Sequence, residues 1–146
     1  MMKKTNNKGF SLVELIIVIA IMAILIGVLA PQYMRYVEKS RVSADKDLCD
    51  SVYNAMTAAA ADPDNASSAP STGAGGALSG ALTSHYGSDV LSTLGVSTPA
   101  AIDAKLKSKA FSGKTINYSV DNLGNITISV QSGNSAEFPD IVIPEK

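Results

Sequence analysis

The chemistry open to this sequence begins with a carboxylate in an apolar setting. Residues 10–30 are apolar except for Ser11, Glu14 and Gly27. An acidic side chain at the centre of a membrane span costs roughly 2.5–3.5 kcal/mol on insertion scales, and less near the interface. Glu14 could be kept only for the positive end of a helix dipole, with its carboxylate reaching headgroups. A sharper role follows from Lys8-Gly9-Phe10 just before it. Gly9 is small and flexible, so a protease at the membrane face could cut after it. Cleavage there would leave a charged amine on Phe10, four residues before Glu14, and residues four apart share a helix face. Glu14 could then meet that amine, or the one on a neighbouring chain. A paired charge in lipid is far cheaper than a lone one, so the pair would favour docking of subunits.

Other reactive residue types are sparse. There is one cysteine, Cys49, and one histidine, His85, in unrelated segments. Neither a nucleophile–base pair nor a metal-ligand cluster is apparent, so no enzyme activity, metal or cofactor is expected. Gly73-Ala74-Gly75-Gly76 lacks the following Lys-Ser/Thr of a phosphate loop. Asp62, Asp64 and Asn65 lack the spacing and closing Glu of a calcium loop and are read as turn residues. Cys49 is read as a small buried residue, and His85 as a helix-end or surface residue. Asn65-Ala66-Ser67, Asn117-Tyr118-Ser119 and Asn125-Ile126-Thr127 fit the N-glycosylation pattern as chance matches in a Ser- and Thr-rich chain.

The element that must position Glu14 is the apolar segment itself. Its 21 residues would reach about 31 Å as a helix, close to the hydrocarbon thickness of a bilayer. The run is too long for the apolar part of an ordinary signal peptide, and Pro31 follows at once on the candidate small-residue cleavage site. Lys3, Lys4 and Lys8 precede it, which keeps that end cytoplasmic and places the rest outside. Removing residues 1–9 leaves nine basic against thirteen acidic residues, a net charge of −4. A mildly acidic chain has no electrostatic footprint for nucleic acid, so no direct DNA binding is expected.

The segment Lys8-Gly9-Phe10-Ser11-Leu12-Val13-Glu14-Leu15 closely resembles the class III signal of type IV pilins and their relatives. The resemblance covers roughly residues 1–60. It implies cleavage after Gly9 by prepilin peptidase and N-methylation of Phe10 as the new N-terminus. It implies that Glu14 neutralises a neighbouring N-terminus during assembly, and that Pro31 breaks the first part of a long helix. Many pilins carry two glycines before that proline, whereas this chain has Ala23 and then Gly27. Gly27 and Pro31 still supply a weak point, since Gly lowers helix propensity and Pro lacks an N–H. Pilins of Gram-negative bacteria commonly close the C-terminal end with a disulfide, which Cys49 alone cannot form, hinting at a Gram-positive source.

Beyond Pro31 no Gly or Pro occurs up to residue 61, so a helix can resume. Val37, Ala44, Leu48, Val52, Ala55 and Ala59 form its expected apolar stripe, with Glu38, Lys39, Arg41, Asp45, Lys46, Asp47 and Asp50 around the rest. Tyr33, Tyr36 and Tyr53 are assigned to interface anchoring and packing rather than to conduction along aromatics. Residues 62–76 read as a loop, with short helical segments around 77–85 and 99–110. Ile116, Tyr118 and Val120, then Ile126, Ile128 and Val130, alternate with polar residues on either side of Asn122-Leu123-Gly124-Asn125, a β-hairpin pattern. Residues 138–143 read as a third, edge strand.

The expected fold is α+β and pilin-like, one long N-terminal helix packed on a small antiparallel sheet. Its parts are a cleaved leader (1–9), a transmembrane and filament-core helix (10–30), an amphipathic helix half (31–61) and an extracytoplasmic domain (62–146). The expected function is that of a type IV pilus subunit, held in the cytoplasmic membrane as precursor and then polymerised outside the cell. Its partners by resemblance are other copies of itself, prepilin peptidase, an inner-membrane assembly platform with its ATPase, and the lipid bilayer before assembly. Two alternatives stand beside it, a major pseudopilin of a type II secretion or competence system and a monomeric membrane-anchored binding protein.

Overall fold

The computed structural model describes residues 9–144. The expected leader therefore lies, for residues 1–8, outside the described residues. The chain forms two compact units that divide at Val37 and Glu38. One helix, α1 (Leu12–Ala60), supplies the described helical part of the first unit and the opening of the second.

In the first unit α1 is helical without interruption through Gly27 and Pro31. The break expected at these two residues is thus absent from the subunit structure. The reason for the weak point remains, and it is a single bond. Pro31 has no N–H to give the carbonyl four residues earlier, and that carbonyl belongs to Gly27. The missing bond and the low-propensity residue coincide, yet one lost bond does not end a helix of 49 residues.

The second unit holds the core. From α1 it takes Cys49, Val52, Ala55, Met56 and Ala59, and packs them with residues from the sheet and the connecting segments. The buried face is rotated from the expected one. Val52, Ala55 and Ala59 lie on it, but Ala44 is exposed, Val37 and Leu48 are half-buried, and Asp45 and Cys49 stand near its centre. Tyr53 packs against the core from its edge.

The sheet has four strands, β1 (Gly75–Ala77), β2 (Asn117–Val120), β3 (Ile126–Val130) and β4 (Ile141–Ile143). All neighbours are antiparallel in the order β1-β2-β3-β4. Period-two alternation puts Ile126, Ile128 and Val130 of β3 into the core, beside Ile141 and Ile143 of β4. Tyr118 pairs with Ile128, and Val120 with Ile126. The turn between β2 and β3 is built by Asp121. Its Oδ1 accepts the Leu123 and Asn125 N–H groups at 2.8 Å each, while Gly124 takes a positive φ of 85°.

Two expectations needed correction here. The expected loop over 62–76 ends in β1, an edge strand of Gly-Gly-Ala whose residues carry no strand propensity. A Cβ on Gly75 would stand 3.2 Å from the Tyr118 carbonyl oxygen, so a small residue suits the pairing. The expected helices over 77–85 and 99–110 are replaced by α2 (Leu78–Ala81), α3 (His85–Thr93) and α4 (Ala100–Asp103). Gly87 of α3 abuts Leu82 so closely that a Cβ would lie 2.3 Å from its carbonyl carbon.

Candidate functional site

The candidate cleavage and pairing residues are positioned locally, by the start of α1. Gly9, Phe10 and Ser11 precede the helix, and the Leu15 N–H donates to the Ser11 carbonyl at 3.2 Å, closing the first turn. Phe10 is 81% exposed, and a Cβ on Gly9 would meet nothing within 4 Å. The Gly9–Phe10 peptide thus lies in exposed chain ahead of the helix. Glu14 is in the first turn of α1, where the positive end of the helix dipole favours a carboxylate. It is exposed and takes part in no ion pair among the described residues.

The same-face argument for Phe10 and Glu14 requires both to be helical, and Phe10 is not. A pairing within one chain is therefore not built into this backbone.

Around Glu14, the apolar side chains of α1 from Leu12 to Leu29 all face outward. The helix reaches a mean hydropathy of 3.1 over its most apolar 18 residues, none of that stretch being buried. Length and composition suffice to cross a bilayer. Tyr33 and Tyr36 follow at the end of this stretch, both exposed, as aromatic residues at a membrane boundary would be.

The other reactive residue types are used for folding. Cys49 is fully buried, and burial together with the charges of Asp45 and Asp50 pushes its thiol up to about 12. It is thus a protonated core residue at neutral pH. His85 opens α3, with Nδ1 2.9 Å from Asn65 Oδ1. Asn65 is buried. Its amide donates to the Ala59 carbonyl at 3.2 Å and to Asp89 Oδ2 at 2.8 Å. That network satisfies a carbonyl at the C-terminal end of α1 and fastens the following loop to α3. It also withholds Asn65 from glycosylation. Asp62 caps a short 3-10 helix, Pro63–Asn65, by accepting the Asp64 N–H at 3.0 Å. No cluster of three or more His, Cys, Asp or Glu able to hold a metal occurs among the described residues.

Sequence reasoning missed one polar site. Asp45, read as part of the solvated face of α1, is 1% exposed. Its carboxylate accepts the Lys107 N–H at 2.8 Å, the Ser108 N–H at 2.9 Å and the Ser108 hydroxyl. Two turns earlier Glu38 accepts the N–H of Lys109, and that of Ala110 at 3.4 Å. Four successive backbone donors are thus clamped to α1 by two carboxylates. The clamp explains why no helix forms over 105–110, because side-chain carboxylates take the N–H groups that a helix would use. A carboxylate at i and i+7 on a helix gives no sequence signal that distinguishes a clamp from a charged face.

Comparison with known proteins bears on the first site. Residues 4–30 match the prokaryotic N-terminal methylation motif. Several curated proteins named type IV major fimbrial protein FimA, from Dichelobacter nodosus, are 50% identical to this chain over 40 residues. Those 40 residues are 27% of this chain and 25–26% of the relatives, so the chain spans about a quarter of the length of the curated proteins it matches. No solved structure matches.

Proposed function

We propose that this chain, which carries the N-terminal segment of a type IV prepilin, is a structural subunit of an extracellular filament. The carrying observation is the exposed Glu14 at the head of an uncovered apolar helix, four residues after the Gly9–Phe10 junction. In this reading residues 1–9 are a leader removed by prepilin peptidase, which also methylates the Phe10 amine. Residues 10–30 anchor the precursor in the cytoplasmic membrane and later line the filament core. Residues 31–61 and 62–146 form the part outside the cytoplasm.

The energetics require a driven exchange. Lipid already solvates the apolar face, so moving it into a filament of like helices yields little net gain. What the filament adds is a partner for each Glu14, in the Phe10 amine of another copy. An assembly platform and its ATPase would supply the work. Gly27 and Pro31 give α1 a place to lose helicity if packing demands it. The name of the matched relatives, major fimbrial protein, favours a pilus over a pseudopilus.

Mass spectrometry of filaments sheared from the source cells tests the reading. A mature chain beginning at N-methyl-Phe10 is expected. An intact leader on surface-exposed protein would defeat it.

A further inference from the structure

The charges of the second unit are segregated along the chain. Residues 47–104 contain six Asp and neither Lys nor Arg, whereas residues 105–114 contain four Lys and no acid. The fold turns that segregation into two distinct surfaces.

The first surface is a ridge. Lys105, Lys107 and Lys109 are exposed and alternate with buried Leu106, Ser108 and Ala110, so the segment anchors by every second residue and presents its lysines outward. The backbone under the lysines is fixed to α1 at Glu38 and Asp45. No ion pair among the described residues involves Lys105, Lys107, Lys109 or Lys114. The clamping carboxylates are engaged with backbone N–H groups, so the ridge stays cationic.

The second surface lies where α1 ends. No basic residue occurs in its last turn, so the negative end of the dipole is uncompensated by a cation there. Exposed Asp62 and Asp64 follow within four residues, and Asp89 joins them through Asn65. At 1.5 Å per residue, the anchors of the ridge, Glu38 and Asp45, lie about 33 Å and 22 Å from the end of α1 along the helix. Ridge and acidic end therefore cannot neutralise each other within one chain.

We infer that the Lys105–Lys107–Lys109 ridge docks on the acidic end of α1, around Asp64, in a second copy of this chain. The inference rests on the filament reading, since copies lying parallel and displaced along their helix axes bring one copy's positive end to another's negative end. Such rim charges give register and specificity more than affinity. They fix which displacement along the axis is preferred, a property that an apolar helix face alone leaves loose.

The test uses filaments from cells expressing the full chain. Lys107→Glu with Lys109→Glu is expected to lower sheared-filament yield at least fivefold, and Asp64→Lys to lower it as well. Combining all three is expected to recover at least threefold of the loss. Exposed side chains are changed, so membrane levels of each precursor should match wild type. Separately, wild-type filaments should dissociate at lower temperature as salt rises from about 0.1 M to 1 M, because the screening length falls from about 10 Å to 3 Å. Undiminished yield in the reversals, failure of the combination to recover, or salt-independent dissociation would overturn the docking while leaving a filament subunit. Absence of wild-type filaments would overturn both.

Discussion

Glu14 and Asp45 are acidic residues on one helix, the first inside an apolar segment and the second on the face that enters the core. Their surroundings are opposite. Asp45 is buried with three donors from a segment more than 60 residues away in sequence. Glu14 is exposed, among apolar side chains that are exposed too among the described residues. The difference separates two uses of a misplaced charge. A carboxylate whose donors are all in its own chain holds that chain together. A carboxylate without them, in an exposed apolar surface, leaves its charge available to another molecule. The two halves of α1 divide in the same way, one finished by its own fold and the other complementary to lipid or to further helices.

The largest effect is expected from breaking the finished half. Asp45→Ala leaves a buried N–H, a part-buried N–H and one hydroxyl without their acceptor, a loss of about 4 kcal/mol in unfolding free energy. Urea denaturation of the second unit would measure it. Asp45→Asn keeps one acceptor oxygen and should lose roughly half as much. If Asp45→Ala were as stable as wild type, the clamp would be incidental and the comparison would fail.

Glu14→Ala should leave the urea midpoint, the membrane level and leader cleavage unchanged while lowering filament yield by about tenfold, equivalent to about 1.4 kcal/mol per contact. Quantifying sheared filaments against total subunit checks this. Normal yield would remove the proposed ion pair and with it the contrast between the two acids.

The legibility of the two regions in the sequence follows the same division. Phe10, Glu14 and the apolar run are contiguous, so the residues that carry the resemblance lie in one short stretch. The β2–β3 hairpin was legible too, because Asp121, Gly124 and period-two alternation all act locally. Asp45 was not, since its donors come from Lys107 and Ser108 and a charged helix position ordinarily faces water. Strand β1 escaped for a related reason, as Gly75 and Gly76 pair with Ser119 and Tyr118 without any propensity of their own. The expected helix over 99–110 stops at Asp103, and over 107–110 side-chain acceptors from α1 take the N–H groups that would have continued it.

Alkaline pH probes the finished half alone. Cys49 is pushed up from 9.0 to about 12 by burial first, then by Asp45 and Asp50, and Tyr86 from 10.0 to about 12 by burial, then by Tyr118. The Tyr86 hydroxyl donates to the Met56 carbonyl at 2.8 Å. Both groups keep their protons in the folded state after the unfolded chain has lost them. Their contribution is therefore whole below pH 9 and falls between pH 9 and 12. Urea midpoints measured across that window should decline, and Cys49→Ala should flatten the part of the decline that starts near pH 9. An equally steep decline in that variant would show that Cys49 does not titrate in this way.

The smallest effect on the folded subunit is expected at Pro31, and it sharpens the comparison most finely. Pro31→Ala supplies an N–H for the Gly27 carbonyl and removes a local helix penalty of about 3 kcal/mol. Because Gly27 and Pro31 are exposed among the described residues, the urea midpoint of the second unit should not move. Hydrogen exchange in detergent micelles should instead slow at residues 27–31, and filament yield should change only if assembly uses the weak turn. A shifted midpoint would mean that the two halves of α1 share stability after all. An unshifted midpoint with slowed exchange would place the weakness of the helix wholly in the half that lies outside the core.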